Sequence, residues 1–370
     1  MITINGRFFS RRPTGVDRFA FEVISSINDL IEANDPAVRG LSFRIMLPPG
    51  VTPEQEFLHI PRETVGRNHG QLWEQWDLPR ALPPESLLLS LCNTAPVLSC
   101  QQVVVIHDAA TVKMPKAFSL AFRLWYRILM PLLGRVSRKV LTVSRFSRQE
   151  IVSAFGVPQD KISVIVEGGE HILRIAPDMA AIQSFGLSIR PYVLVVSSMA
   201  AHKNFRLVLE AISRLGNPPF DIAIAGGANS RVFGVAGRMD CQRVKWLGYV
   251  SDSELRSLYE SAMCFVFPSL YEGFGIPPLE AMNCGCPVLA SRAASIPEIC
   301  GDAALYFDAY NANELAALLM RVADDPALRA ELAIKGHARA AQFSWASAAR
   351  QILASLSEVS LTKFVRLGDH

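Results

Sequence analysis

The sequence predicts an α/β protein built from two Rossmann-like domains that face a cleft. Short apolar runs typical of buried strands alternate with helical patterns in both halves of the chain, which favours parallel sheets with helices on both faces. The length of 370 residues suits two such domains. With 50% hydrophobic residues and a mean hydropathy of +0.23, the chain has enough apolar side chains for two cores, which excludes disordered and fibrous classes.

The amino-terminal half begins with a predicted strand at residues 2–4 and an amphipathic helix over residues 15–31, where apolar residues recur at helical spacing. Residues 48–70 hold four prolines and no sustained periodicity, which predicts a long loop. The other strands of this half are predicted at residues 43–47, 87–91, 103–106, 140–143 and 162–166.

A second series of strands follows a stretch marked by Pro and Gly, residues 176–190. We therefore expect an amino-terminal domain at residues 1–175, a second domain at 176–345, and a carboxyl-terminal helical segment at 346–370 that can cross back to the first domain. The strands of the second series are predicted at residues 192–196, 221–225, 244–247, 264–267, 287–290 and 304–307.

Charge and cysteine content narrow the functional class. Thirty-seven Lys and Arg against 34 Asp and Glu give a net charge of +3, too close to balance to predict a nucleic-acid partner.

Residues 1–14 lack the apolar core of a secretory signal, and no run of 18 apolar residues occurs, so we expect a cytoplasmic protein. The seven cysteines lack paired CxxC spacing, which favours reduced core thiols over metal ligands or disulfides.

The segment at residues 264–282 carries the strongest functional signal. An apolar strand leads into a turn with Glu272, Gly273 and Gly275, and then into a helix. The glycines let the backbone approach a ligand, and free amides at a helix start suit an anion or sugar hydroxyls. Glu272 precedes the helix and Glu280 lies about one turn into it, so the two carboxylates can bind different parts of one elongated ligand. The simpler alternative is a Glu near a helix start that interacts with the helix dipole alone.

This segment resembles the E-x7-E signature of family 4 of the retaining glycosyltransferases, also called group 1, which have the GT-B fold. Residues 72–80 and 93–96 are similar to segments of the bacterial enzymes of this family that transfer mannose and rhamnose. The residues that match the signature are Glu272, Gly273, Phe274, Gly275, Pro277, Leu279, Glu280, Ala281, Gly285, Pro287 and Val288.

The resemblance implies roles for other residues. Residues 197–204 are similar to the loop with the family's phosphate-binding lysine, so Lys203 is expected at the donor diphosphate, and His107 is expected at the donor sugar. His107, Lys203 and Glu272 are the candidate catalytic residues. The candidate donor-binding residues are Gly15, Ser197, Asn204, Gly248, Tyr249, Val250, Gly273, Phe274, Gly275, Ile276 and Glu280. Among these, Glu280 is expected to hold the ribose hydroxyls, and residues 248–250 are expected near the nucleotide base.

Each of these roles has a structural alternative. A lysine that begins an amphipathic helix can simply be solvated, and a histidine at a strand end can be structural. The sequence also departs from the family where Ser197 and His202 occupy positions that often hold Arg or Gly, and where Thr14 stands beside Gly15 in place of a second glycine.

A basic and aromatic segment lies at residues 109–149. It contains nine Lys or Arg and no Asp or Glu, interleaved with large apolar residues. This composition is typical of a helix that lies on an anionic membrane surface. RNA binding and a core helix with a solvated basic rim are the alternatives.

The expected function is transfer of a hexose, with mannose as the first choice and GDP-mannose as donor, to a glycan or lipid-linked acceptor in polysaccharide or lipopolysaccharide synthesis. The resemblance implies retention at the anomeric carbon and an acceptor site on the amino-terminal domain. No D-x-D occurs, so no metal and no cofactor is expected. We expect a peripheral location at the inner face of the cytoplasmic membrane and no nucleic-acid partner. A nucleotide-sugar epimerase and a non-enzymatic glycan-binding protein remain alternatives. Oxidoreduction with NAD is disfavoured because Pro278 stands where the glycine fingerprint needs Gly or Ala.

Overall fold

The computed structural model describes residues 1–11, 14–53, 55–196, 200–226 and 243–367. The chain forms two units. The first contains Met1–Glu167 and the segment that begins at Trp345, and the second contains Gly168–Ser344. The predicted class of two parallel-sheet α/β domains is confirmed.

The first unit is built on a seven-stranded parallel sheet. Its strands are β1 (Ile2–Asn5), β2 (Phe43–Leu47), β3 (Arg62–Thr64), β4 (Leu87–Ser90), β5 (Gln102–Val105), β6 (Lys139–Thr142) and β7 (Ile162–Val164). The spatial order is β3-β2-β1-β4-β5-β6-β7, with every neighbouring pair parallel. The winding direction changes between β1 and β4, where open α/β sheets bind ligands beyond the carboxyl ends of their strands.

The second unit is built on a six-stranded parallel sheet. Its strands are β8 (Tyr192–Val196), β9 (Asp221–Ala225), β10 (Val244–Gly248), β11 (Cys264–Phe267), β12 (Val288–Ser291) and β13 (Ala304–Phe307). The order β10-β9-β8-β11-β12-β13 places the change of direction between β8 and β11. These strands are almost continuously apolar because helices cover both faces of the sheet.

Helices connect the strands in both units. The described α-helices are α1 (Gly15–Glu32), α2 (Gly70–Leu72), α3 (Leu78–Ala81), α4 (Ala110–Lys113), α5 (Leu120–Val136), α6 (Arg145–Phe155), α7 (Ala180–Ser184), α8 (Phe205–Leu215), α9 (Asp252–Ser261), α10 (Ile276–Asn283), α11 (Ile296–Cys300), α12 (Ala312–Asp324), α13 (Pro326–Ala340) and α14 (Trp345–Leu367). A π-helix, Trp73–Asp77, lies between α2 and α3. No helix in the described ranges is both long and apolar enough to cross a bilayer.

The predicted loop at residues 48–70 contains a strand that the sequence analysis missed. β3 pairs with β2 at the edge of the first sheet, with Arg62 opposite Ile45. Its three residues are half-buried or exposed, so they carry no apolar alternation. A short, charged edge strand of this kind leaves no hydrophobic pattern to detect.

The unit boundaries also differ from the predicted ones. The chain enters the second unit at Gly168 rather than at residue 176, whereas α14 returns to the first unit, as the predicted crossing back allows. At the start of α14, Trp345 is 1% exposed, and its ring lies 6.0 Å from that of Phe19 on α1. Further along α14, a guanidinium nitrogen of Arg350 lies 2.9 Å from a carboxylate oxygen of Asp35. These contacts hold α14 against α1 and the segment that follows it in the first unit.

Candidate functional site

The loop between β11 and α10 has a backbone that requires glycine. Gly275, which precedes α10, has φ of +114°, a region that other residues rarely adopt. Prolines occupy the first turn of α10, where an N–H group has no intrahelical partner, and no side chain caps this end of the helix. The first turn of α10 therefore receives no hydrogen bond from a capping side chain.

Ser295 fixes the conformation of the same loop. Its hydroxyl oxygen lies 3.0 Å from the carbonyl oxygen of Glu272 and 2.7 Å from that of Phe274. The Phe274 side chain is 3% exposed and packs edge-on against Phe343. Phe274 can thus reach a ligand through its backbone only, and the Glu272 side chain is the part of this turn that extends to a partner.

That partner is Lys203. The Lys203 ammonium nitrogen lies 2.7 Å from Glu272 Oε1, and the two side chains are 19% and 13% exposed. Lys203 ends a 3₁₀ helix, Ala201–Lys203, in the connection between β8 and α8. The lysine and the carboxylate thus meet beyond the carboxyl ends of β8 and β11, where the winding of the sheet reverses.

Backbone and side-chain hydrogen bonds hold these two loops together. Asn204, with φ of +58°, donates from Nδ2 to the carbonyl oxygens of Pro268 at 3.1 Å and Ala309 at 2.8 Å. The Leu270 amide donates to the His202 carbonyl at 2.7 Å. Asn204 is therefore a structural support of the site. Ser197, a candidate donor-binding residue, lies outside the described residues.

His202 adjoins Lys203 and is neutral at physiological pH. Burial lowers the pKa of its imidazole, and the Lys203 charge lowers it further. Its Nδ1 atom is buried and has no hydrogen-bond partner among the described residues. Lys203 thus supplies the positive charge of this loop at neutral pH.

Glu280 lies on α10 and is 8% exposed. Its Oε2 accepts a hydrogen bond of 3.1 Å from the Tyr259 hydroxyl, and its Oε1 lies 3.0 Å from His171 Nε2. Each carboxylate oxygen can accept a further hydrogen bond. The expected contact with ribose hydroxyls stays a prediction.

Gly248 is the last residue of β10, and Tyr249 and Val250 follow it. Gly248 has φ of +71°, and its carbonyl accepts a 2.7 Å hydrogen bond from the Gly226 amide. Tyr249 is 89% exposed. The segment is therefore a surface turn, and its expected contact with the nucleotide base stays a prediction.

Gly15 and His107 belong to the first unit. Gly15 begins α1 after a capping box formed by Thr14 and Asp17, and a side chain at this position would meet open space. His107 follows β5, as predicted, and is 4% exposed. Its Nε2 lies 2.9 Å from the Leu91 carbonyl oxygen, and its Nδ1 lies 3.4 Å from Glu167 Oε1.

Two oxygen acceptors flank the His107 ring, so both ring nitrogens donate when the imidazole is charged. Burial lowers the pKa of His107, but the hydrogen bond and charge of Glu167, together with the Leu91 carbonyl, outweigh it and raise the pKa above its ordinary value. A sugar hydroxyl can bind this ring only by replacing one of the two partners.

The first unit also contains a cavity of about 490 Å³ between α1 and the segments on either side of it. Arg11, Asp17 and Arg18 supply its charged groups, and Arg11 Nη2 lies 2.6 Å from Asp17 Oδ1. The full lining comprises Phe8, Phe9, Arg11, Asp17, Arg18, Phe21, Thr52, Pro53 and Gln55. Aromatic rings beside charged hydrogen-bonding groups suit a ligand with both apolar and polar faces.

The described cysteines carry no metal site. Cys92, Cys264, Cys286 and Cys300 are buried, whereas Cys100 is exposed and is not the core thiol that was expected. Burial raises the pKa of Cys264 and Cys300 to about 12. Within the described ranges, no group of three His, Cys, Asp or Glu side chains could hold a metal ion.

Four supporting residues were not predicted from the sequence: Glu167, His171, Tyr259 and Ser295. Glu167 follows β7 as His107 follows β5, so the same strand-end signal could have found it. His171, Tyr259 and Ser295 have no such signal, because their partners are set by packing of distant segments.

The two parallel-sheet units place the chain among proteins with the GT-B fold, and solved structures agree. Sucrose-phosphate synthase from Thermosynechococcus elongatus has a TM-score of 0.76 at 19% identity, covering 98% of this chain and 99% of that one. Anabaena HepE, solved in complex with UDP and glucose, has a TM-score of 0.76 at 21% identity, covering 96% and 99%.

A family match falls within the second unit. Residues 182–339 match the family described as Glycosyl transferases group 1. O-antigen chain mannosyltransferase B of Escherichia coli is 34% identical over 227 residues, which are 59% of this chain and 60% of that protein. MMP alpha-(1->4)-mannosyltransferase of Mycolicibacterium hassiacum is 30% identical over 247 residues, covering 63% and 57%. The chain thus spans about three fifths of the length of these relatives.

Proposed function

We propose that the protein is a glycosyltransferase that moves a hexose from a nucleoside diphosphate sugar to a glycan acceptor in the synthesis of a surface polysaccharide. The arrangement of Lys203, Glu272 and the uncapped start of α10 at one edge of the second sheet carries this proposal. It combines one cation, the positive end of a helix and carboxylates, the groups that a diphosphate and a sugar require.

In the proposed reaction Lys203 and the positive end of α10 stabilise the charge that develops on the departing nucleoside diphosphate. Glu272 then accepts hydrogen bonds from the donor sugar. A lysine can perform this neutralisation itself, which supports a transfer that needs no metal. Retention at the anomeric carbon follows from the resemblance to family 4. The names of the E. coli and M. hassiacum relatives support mannose as the transferred sugar, and GDP-mannose is our first choice of donor.

The acceptor is proposed to bind the cavity beside α1 in the first unit. Phe9 and Phe21 supply apolar surface for a sugar, and the guanidinium group of Arg18 supplies hydrogen-bond donors for its hydroxyls. The cavity volume of about 490 Å³ is within the range of small-molecule sites.

A lipid-linked acceptor requires access to a membrane, and α5 supports such access. Its first half exposes Leu120, Leu124, Trp125 and Ile128, with Leu120 77% and Leu124 62% exposed. The basic and aromatic segment at residues 109–149 also contains Arg123, Arg127, Arg135 and Arg138. These four arginines form no ion pair with the described residues. Apolar side chains beside unpaired cations suit an anionic lipid surface, so we propose peripheral attachment there.

A panel of nucleotide sugars tests the proposal. The expected result is a selective rise in melting temperature with one donor, followed by transfer from that donor to a mannose-containing acceptor. Sugar conversion by donor alone would identify an epimerase instead. Binding of glycans without affinity for any nucleotide would identify a glycan-binding protein.

A further inference from the structure

Two buried side chains hold the carboxylate of Glu280 on both of its oxygens. The Tyr259 hydroxyl donates to Oε2 at 3.1 Å, and His171 Nε2 lies 3.0 Å from Oε1. Tyr259 is fully buried and His171 is 2% exposed. The orientation of this carboxylate is therefore fixed by residues from two other segments, α9 and the 3₁₀ helix Glu170–Arg174.

The segment that carries His171 is packed tightly against α10. Gly169 approaches α10 so closely that a β-carbon on it would lie 2.6 Å from Leu279 Cβ, which no other residue would tolerate. Arg256 of α9 donates to the carbonyl oxygens of Leu173 at 2.8 Å and Ile175 at 2.6 Å. The position of His171 relative to Glu280 is thus set by backbone contacts on both sides of it.

The chemistry of the two partners suits a permanent hydrogen-bond role. Burial raises the pKa of Tyr259 well above its ordinary value, and the adjacent Glu280 raises it further, so the hydroxyl keeps its proton. A carboxylate that accepts one hydrogen bond on each oxygen keeps lone pairs for two more. Stability alone does not require such a cluster, because well-packed apolar residues of similar volume are often as stable as buried charged groups.

We propose that His171 and Tyr259 are positioning residues for nucleotide recognition: they orient Glu280 so that its remaining lone pairs receive the ribose hydroxyls, and they do not touch the nucleotide themselves. This inference rests on the proposed function of the second unit. Positioned hydrogen-bond partners behind a binding carboxylate contribute to affinity through that carboxylate.

The test measures the dissociation constants of GDP and UDP, each beside its 2′,3′-dideoxy analogue, by calorimetry. Tyr259→Phe and His171→Leu should raise the dissociation constant of the preferred ribonucleotide about tenfold and leave that of its dideoxy analogue unchanged. His171→Gln, which keeps a donor for Glu280, should restore most of the affinity. Tyr192→Phe is the matched control, because this buried tyrosine donates to the Leu258 carbonyl at 2.7 Å and not to Glu280.

The outcomes separate the inference from the proposed function. Unchanged dissociation constants, or equal weakening of ribonucleotide and dideoxy analogue, would overturn the positioning role while the nucleotide site stands. If the unaltered protein binds neither GDP nor UDP, the proposed function is refuted and the inference with it. If His171→Leu fails to fold, Tyr259→Phe decides the question, since it removes a single oxygen atom.

Discussion

The ammonium nitrogen of Lys203 lies 2.7 Å from Glu272 Oε1 although 69 residues separate the two in sequence. The protein itself provides the counter-ion for the lysine, and the carboxylate is in turn held through its backbone by Ser295. A donor diphosphate would compete with Glu272 for Lys203. The pair therefore keeps a mostly buried cation neutralised until an anionic ligand arrives.

Replacing Lys203 should impair the transfer step more than the fold. Lys203→Ala is expected to lower turnover on the order of 100-fold, because it removes one preorganised group that stabilises the leaving diphosphate. Steady-state kinetics with the donor found in the panel measure this. Lys335→Ala is the control, since Lys335 also pairs with a glutamate, Glu331 at 2.7 Å, but on α13. Equal activity of the two variants would contradict the role of Lys203.

Transfer should continue in excess chelator, because the proposed reaction assigns the leaving-group charge to Lys203 and to the positive end of α10. The measurement compares initial rates before and after treatment with EDTA. Loss of activity that Mn²⁺ or Mg²⁺ restores would show that a metal supplies the charge instead.

Glu280→Ala should weaken binding of the nucleoside diphosphate while the second unit stays folded. Loss of hydrogen bonds from ribose hydroxyls to a charged acceptor is expected to cost about 1.5 to 3 kcal/mol, or roughly 10-fold to 100-fold in the dissociation constant. Glu210→Ala is a suitable control, because Glu210 pairs with Arg206 on α8 at 2.7 Å. An unchanged dissociation constant in calorimetry would contradict the placement of the ribose at Glu280.

The sequence predicted the local parts of this site better than its long-range contacts. The turn from β11 into α10 could be predicted because an apolar strand, Gly275 and the two prolines are adjacent in sequence. The meeting of Lys203 with Glu272 could not, because it depends on β8 and β11 being neighbours in the sheet. That strand order is a property of the whole fold.

The same limit applies to the fold. The apolar strands were found because burial on both faces gives continuous hydrophobic runs, whereas β3 carries Arg62 and Glu63 and gives none. The membership of α14 in the first unit depends on the contact of Trp345 with Phe19, which helical periodicity cannot reveal.

His107 should make the stability of the first unit depend on pH. Because the folded pKa of His107 is raised, its contribution is fully present below the unfolded pKa of about 6.5 and is lost as the pH rises through the folded value. The difference in the free energy of unfolding between the protein and His107→Gln should therefore shrink with rising pH. Four of the five tryptophans lie in the first unit, so tryptophan fluorescence during urea unfolding reports on it.

The exposed His59 provides the control for this measurement. His59→Gln should leave the pH dependence as it is in the unaltered protein. If the free-energy difference for His107→Gln stays constant from pH 5.5 to 9, the imidazole is not held as a cation by Glu167 and Leu91.

The exposed face of α5 should bind anionic membranes in a salt-dependent way. Arg127, Arg135 and Arg138 are exposed, and each cation near an anionic surface contributes about 1 kcal/mol. Changing all three to Glu should lower the partition coefficient on vesicles with anionic lipid on the order of 100-fold or more. Co-sedimentation at low and high salt measures this, and binding of the unaltered protein should fall as the salt concentration rises.

The matched control changes three exposed arginines of the second unit to Glu: Arg206, Arg214 and Arg321. It changes the net charge by the same amount, so it separates a local membrane surface from a general effect of charge. Leu124→Ser with Ile128→Ser should weaken binding without any change in charge, because two exposed apolar side chains of α5 can no longer enter the lipid interface. The unaltered protein could sediment equally with neutral and anionic vesicles, or the two triple-arginine variants could lose vesicle binding equally. Either result would identify α5 as a core helix with a solvated basic rim.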